Sequence, residues 1–367
     1  MTIAVIGRGP IGSAAARHLA RAGHAVLLIG PAEPADKAAH TGVFASHWDE
    51  GRITRALDPD SYWSAVSRAS IARYAQIEAE SGIGFFTESG AMIAAPAGSD
   101  YMRRVADVQA EAGIVAETLR GAELAARFPC FAFPPGIETR FEARGAGHVN
   151  PRRMVAAQTE AARRAGAVVV AATALRLETG ATGVDVITDA GDFHADRVLV
   201  ANGGWANTLL PQPLPLAVYA RTIAFFALDP DEVAALGDMP TLVYRTPGGD
   251  VPYLLPPIRY PDGRMYVKIG GDPDDRPLAS TDAVADWFRS GGSADVGAYQ
   301  RDLIAGLMPG LNTARMHTEA CVTVFTPEDR PAIRRLDARM SVAVAGCGRG
   351  AKCADELGRI AAGVVTA

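Results

Sequence analysis

Long hydrophobic runs are missing from this chain. No apolar stretch approaches the roughly 18 residues needed to span a bilayer, although 49% of the 367 residues are hydrophobic. Charge of one sign is also missing. The formal net charge is −5, with 36 Lys and Arg against 41 Asp and Glu and no basic tail. That balance points away from nucleic acid and from anionic membranes. Cysteine is scarce, with four residues at positions 130, 321, 347 and 353. Their spacing shows no metal-ligand pairing, so no metal site is expected. The chain runs almost at once into an apolar strand, leaving no room for a signal peptide, so reduced thiols and a cytoplasmic location are expected. There is no internal repeat and no low-complexity segment.

What is present begins at once. Thr2–Ile6 reads as a short apolar strand and leads into Gly7-Arg8-Gly9-Pro10-Ile11-Gly12, then an Ala-rich helical stretch to Ala22 and a second strand, Ala25–Ile29. This is G-x-G-x-x-G between a strand and a helix. Gly7 permits the tight turn, Gly9 lets a pyrophosphate approach the backbone, and Gly12 lets the helix pack on the strand. The helix N-terminus offers free N–H groups and a positive dipole end to phosphate. The acid that usually takes the ribose hydroxyls about 20 residues on is absent. Gly30 stands there, and the nearest acid is Glu33.

Apolar periodicity predicts helices over 61–81, 100–112, 120–128, 154–165 and 354–364, and strands at 84–87, 91–95, 167–170, 184–188, 197–201 and 342–345. Residues 213–320 are rich in strand and turn signals, with prolines at 252, 256, 257, 261 and 273. That shift in composition predicts a second domain inserted into the first. The expected fold is α/β, or α+β overall: a Rossmann-like nucleotide domain (1–83, 146–212, 321–367) with an inserted antiparallel-sheet domain (84–145, 213–320). A second glycine-rich loop, 346–350, lies between the last strand and the last helix and offers further backbone N–H groups to a ligand.

Five separated motifs carry a resemblance over nearly the whole length. They are Ser46-His47-Trp48-Asp49-Glu50-Gly51-Arg52-Ile53-Thr54-Arg55, Asn202-Gly203-Gly204-Trp205-Ala206, Arg264–Gly270, Cys321–Asp329 and Ala345–Lys352. With the N-terminal fingerprint, the chain resembles the D-amino-acid-oxidase-like flavoproteins, above all the monomeric sarcosine oxidase group that also holds N-methyltryptophan oxidases. The resemblance implies FAD as cofactor. Gly7, Gly9, Pro10, Ile11, Gly12, Ser46, Arg52, Leu175, Gly203, Trp205, Cys321, Gly346, Gly348, Arg349 and Gly350 would hold it. It implies that Arg52 lies against the flavin, that Arg55 and Lys352 bind a substrate carboxylate, that Tyr253 stands in the pocket, and that Lys268 promotes reaction with O2. It also implies a thioether from Cys321 to the flavin 8α-methyl. Read alone, these residues have plainer meanings: a lone Cys as a small buried side chain, a Lys in an apolar strand as an edge residue with its head in water, two arginines on a surface loop.

The chemistry of the types fits the implied roles. An Arg fork binds a carboxylate bidentately. A fixed cation beside O2 lowers the barrier to building negative charge. Two cations facing one pocket are costly unless an anion joins them. The sequence departs from the family pattern at Trp48, at Asp272 (both where a histidine is usual), at Thr323, and in a C-terminal loop one residue shorter with Arg349 in place of His. The expected activity is FAD-dependent oxidation of a carboxylate-bearing secondary amine, N-alkyl or cyclic. Hydride passes to flavin, an imine is released, and O2 reoxidises the flavin to give hydrogen peroxide. The expected partners are the amine and O2, with a monomer or small homo-oligomer. A flavin dehydrogenase serving a carrier, or a non-catalytic nucleotide-binding subunit, are the alternatives.

Overall fold

The first strand, Thr2–Ile6, is buried from Ile3 onward on both faces, as a central parallel strand must be. In a computed structural model that describes all 367 residues, it lies inside a six-stranded sheet. The order across that sheet is Ala332–Arg335, Met340–Val344, Arg197–Val200, Thr2–Ile6, Ala25–Ile29, Val168–Val170. All pairs are parallel except the outermost, Ala332–Arg335 with Met340–Val344. Strand alternation sends Ile3 and Val5 to one face, against Ala15, Ala16 and Leu19 of the helix Pro10–Arg21 and Ala362 and Val365 of the helix Gly350–Thr366. Ala4 and Ile6 point the other way, onto Val184, Val186 and Ala195 of a three-stranded sheet, Ala174–Thr179, Val184–Thr188 and Gly191–Ala195.

The N-terminal and C-terminal helices cross closely. A Cβ at Gly358 would lie 2.5 Å from Ala14 Cβ and 2.6 Å from Ala15 N, so only glycine fits. Arg17, fully buried in the first helix, is held by Asp355 of the last at 3.2 Å and by Glu80 at 2.7 Å. Asp355 also receives His18, Gln158 and Arg73. Burial alone would raise this carboxyl, but His18, Arg73 and Gln158 outweigh it and hold the group well below the usual carboxylate range.

A nine-stranded sheet forms the second layered unit. Its order is Arg276–Pro277, Ala217–Leu228, Met265–Gly270, Tyr253–Arg259, Thr241–Tyr244, Ala91–Pro96, Ile137–Glu142, Glu117–Arg120, with Met316–Phe325 also paired to Ala217–Leu228. Only Thr241–Tyr244 with Ala91–Pro96 is parallel. One side is closed by a core of Met92, Phe141, Phe226, Leu242, Leu254, Val267 and Ile304 among others. A small sheet, Arg52–Thr54, Gly147–Val149 and Phe86–Thr87, joins the two units.

Four local expectations need revision. Residues 61–81 form two helices, Ser61–Ile71 and Tyr74–Ser81. The break falls at Arg73, whose guanidinium is ion-paired with Asp355 and Glu356. The strand expected at 84–87 is reduced to Phe86–Thr87, and it lies in a different sheet from Ala91–Pro96, with Gly90 at φ +75° between them. The division expected between 320 and 321 falls inside the continuous strand Met316–Phe325, which belongs to the nine-stranded sheet throughout. The last helix starts at Gly350 rather than at 354, which places Lys352 in its first turn. No helix is long and apolar enough to cross a membrane.

Candidate active site

Beyond the carboxyl ends of the parallel strands, where the order reverses about Thr2–Ile6, lies the crevice in which open α/β sheets bind ligands. A cavity of about 900 Å³ occupies it and reaches the nine-stranded sheet. Gly7, Gly9, Pro10 and Ile11 form one wall. Gly7 sits at φ +109°, and a Cβ there would come within 2.5 Å of Ala201 O. Gly12 lies outside the wall and acts by packing, since a Cβ there would strike Gly7 O at 1.9 Å. Gly30 is explained by sterics too: a Cβ would meet Arg8 Cβ and N, both at 2.7 Å. Arg8 itself lines the cavity and donates to Pro31 O at 3.2 Å.

The cavity also collects Ser46, Arg52, Arg55, Gly203, Trp205, Tyr253, Cys321, Gly346, Gly348, Arg349, Gly350 and Lys352, from segments spread over 300 residues. The loop 345–348 is unusually strained. Ala345 (φ +68°) and Cys347 (φ +46°) join Gly348 (φ +71°) in the left-handed region, a conformation that clusters at ligand sites. Besides Gly12, two residues expected in the site are not at the wall. Leu175 is 57% exposed, because strand alternation puts Ala174 on the cavity and Leu175 on the opposite side. Lys268 is 1% exposed and stands one layer behind, its Nζ donating to Asp49 Oδ2 and to Gly51 O at 2.6 Å.

Arg52 and Cys321 are brought together as the motifs imply. Arg52 Nη2 is 3.4 Å from Cys321 Sγ and donates to Ser46 O at 3.0 Å. Arg52 is also ion-paired with Asp49, which accepts from Tyr260 Oη at 2.8 Å. One carboxylate therefore serves Arg52 and Lys268 together. Burial and the neighbouring Arg52 push the Lys268 ammonium well below its ordinary range; contact with Asp49 opposes both.

The second cation group gathers around Asp58. Lys352 Nζ donates to Asp58 Oδ2 at 2.9 Å, Arg55 Nη1 is 3.6 Å away, and Arg349 Nε is 3.8 Å away. All but Arg349 are at least nine-tenths buried. Burial would raise Asp58, but Lys352 and Arg55 outweigh it and keep the carboxyl low; burial and then Arg55 lower Lys352. An internal anion thus already joins the two cations, so their coexistence does not by itself demand a ligand. The stronger sign is Arg55. Its guanidinium makes no hydrogen bond, and its Nε is buried without any partner. Arg349 is met by Asp329 at 3.1 Å. The backbone before Asp58 is fixed by Glu142, which accepts from Ala56 N at 3.0 Å and Leu57 N at 3.0 Å.

Burial pushes the Tyr253 phenol up to about 12. His47 is at the cavity wall beside Gly9; burial, then Arg152 and Arg8, bring it down to about 3, so it is neutral. Trp48 is buried against Phe44. Sequence reasoning assigned no role to Asp49, Asp58 or Arg8. Asp58 follows Arg55 by three residues and Asp49 precedes Arg52 by three, a spacing that signals an ion pair only where the backbone turns back on itself.

The glycine wall, the size of the cavity and the strained second loop fit a dinucleotide laid across the switch point. The model of the FAD dependent oxidoreductase family matches residues 2–363. The chain belongs to that family. It is 26% identical over 363 residues to N-methyl-L-tryptophan oxidase of Yersinia pestis, covering 98% of this chain and 93% of that one. Among solved structures it is similar to NikD, an unusual amino acid oxidase of nikkomycin biosynthesis (TM-score 0.75, 21% identity, 99% and 93% of the two chains). It is also similar to L-proline dehydrogenase from P. horikoshii (TM-score 0.75, 18% identity, 100% and 93%). These two likenesses establish the shared fold. In this FAD-dependent oxidoreductase, the Gly7–Ile11 turn and the 346–350 loop would hold the cofactor's phosphates and ring, with Arg52 and Cys321 alongside. No group of His, Cys, Asp or Glu side chains is placed to hold a metal.

Proposed function

We propose that the protein oxidises a carboxylate-bearing secondary amine, N-alkyl or cyclic, and that O2 accepts the electrons to give hydrogen peroxide. The observation that carries this reading is Arg55, a guanidinium 8% exposed at the cavity wall with no hydrogen-bond acceptor. A buried donor left unmet costs about 1–3 kcal/mol, more for a charged group, and a substrate carboxylate would remove that cost. Lys352 adds a second cation, held in place by Asp58. Together they fix the substrate's orientation, which is the protein's main contribution when a cofactor does the electron chemistry. A bound flavin would supply the two-electron acceptor for the C–H bond next to nitrogen. Tyr253, a neutral phenol throughout the physiological range, can donate to or accept from the substrate. Cys321, whose Sγ lies 3.4 Å from Arg52 Nη2 at the cavity wall, is the side chain that a covalent link to FAD would use.

The test is direct. The purified protein should be yellow and should release peroxide with N-methyl or cyclic amino acids, but not with the same amines lacking a carboxylate. Cys321→Ala should free the flavin on acid precipitation. A protein that stays colourless after reconstitution with FAD would sink the reading. A second reading, electron transfer to a carrier instead of O2, draws support from one observation: the Lys268 ammonium is already met by Asp49. Fast anaerobic reduction followed by slow oxygen uptake would favour it.

A further inference from the structure

Three carboxylates line the cavity: Asp272, Asp275 and Asp329. Asp275 is taken by Arg221 at 2.5 Å and Asp329 by Arg349 at 3.1 Å. Asp272 has no Lys, Arg or His nitrogen within 4.0 Å. It is held in place by the backbone N–H of Thr222, which reaches its two oxygens at 3.0 and 3.2 Å. Arg221, the residue before, is turned away by Asp275 and by Ala220 O. The same cavity therefore holds one guanidinium without an acceptor, Arg55, and one carboxylate without a cation, Asp272. They are carried by different parts of the fold: Arg55 by the loop before the helix Ser61–Ile71, Asp272 by the turn after Met265–Gly270, anchored to Ala217–Leu228.

We propose that Asp272 binds a second, permanently cationic group of the substrate, so that the natural substrate is a basic amino acid: a carboxylate at Arg55 and Lys352, an oxidised nitrogen between, and a distal ammonium or guanidinium on Asp272. This rests on the carboxylate reading of Arg55 given above. The cation on Asp272 cannot be the reacting nitrogen. A carboxylate in contact with an amine favours its protonated form, and an ammonium has no lone pair to drive loss of hydride. The unpaired state of Asp272 shows in its acidity, which burial raises to about 6. The charged or titratable groups facing it are Arg221, Asp275 and Tyr253. A cationic ligand would reverse the effect of burial.

The test uses ligands that cannot be oxidised at the α position. Binding of ω-aminoalkanoates, from 4-aminobutyrate to 8-aminooctanoate, is measured by calorimetry on the FAD-loaded protein against the plain alkanoates of the same length. At least one ω-amino acid should bind about tenfold more tightly than its plain counterpart, the scale of one partly buried charge pair. The preference should vanish in Asp272→Asn and, in the unmodified protein, should fade below about pH 5 as Asp272 takes up its proton. Equal binding of both series at neutral pH overturns the Asp272 proposal and leaves the Arg55 reading standing. Failure of both series to bind overturns both. A preference that persists in Asp272→Asn, or that does not change with pH, also overturns it.

Discussion

Two fully buried lysines, Lys268 and Lys352, each meet an aspartate, and their surroundings differ in one respect that decides their roles. Around Lys268 the set is closed. Asp49 serves two cations, and Gly51 O, Ser46 O and Cys321 Sγ take further donors from them. Around Lys352 the set is open. Asp58 faces three cations, Asp329 relieves only Arg349, and Arg55 is left without an acceptor. A closed set holds structure and sets local charge; an open one has room for a ligand anion. The lesson is that a buried lysine's function is read from the count of acceptors around it and not from its burial.

Removing each aspartate would sharpen this most. Breaking a buried pair typically costs about 3–5 kcal/mol because it strands a charge. Asp49→Asn should lose that much in denaturant titration, and added carboxylates should not restore it. Asp58→Asn should lose a similar amount in buffer but regain part of it with a saturating carboxylate ligand, which can take the vacated place beside Arg55 and Lys352. Equal rescue of both variants, or of neither, would erase the distinction.

The lysines themselves should separate two half-reactions. Lys352→Met should slow anaerobic reduction of the bound flavin by about a hundredfold, the scale of a lost charge contact to substrate. Lys268→Met should leave that step nearly unchanged and slow reoxidation by a similar factor. If both variants slow the same step, the two lysines share a role.

The smallest effect is on the unmodified protein. A non-reactive carboxylate at ten times its dissociation constant should stabilise the fold by about 1.4 kcal/mol, seen as a rise in melting temperature. Arg55→Met should lose the rise.

Much of the site is legible in the chain. The glycine fingerprint follows from its local motif, which fixes a short piece of backbone, whereas the Arg52–Cys321 neighbourhood and the meeting of Arg55 with Lys352 are legible only through what the family resemblance implies. The two aspartates are not legible that way. Asp49 and Asp58 matter through what the fold places opposite them, 219 and 294 residues away. Leu175 shows the converse: the right strand, with the side chain on the wrong side of a period-two pattern. The split of residues 61–81 into two helices falls at Arg73, which is ion-paired with Asp355, a long-range contact no local periodicity encodes.

Gly30 leaves no space for an acid because Arg8 fills it, and Arg8 looks into the cavity. The nearest acid, Glu33, is committed to Arg152 at 2.7 Å. A cation thus stands beside the position where the usual dinucleotide fold commonly carries an acid. Dinucleotide held there without a covalent link would be held partly by long-range attraction to its phosphates. Its retention would then weaken as ionic strength shortens the screening length from about 10 Å at 0.1 M to about 3 Å at 1 M. In Cys321→Ala, where no covalent link can form, concentrated salt should therefore lower retention of the cofactor.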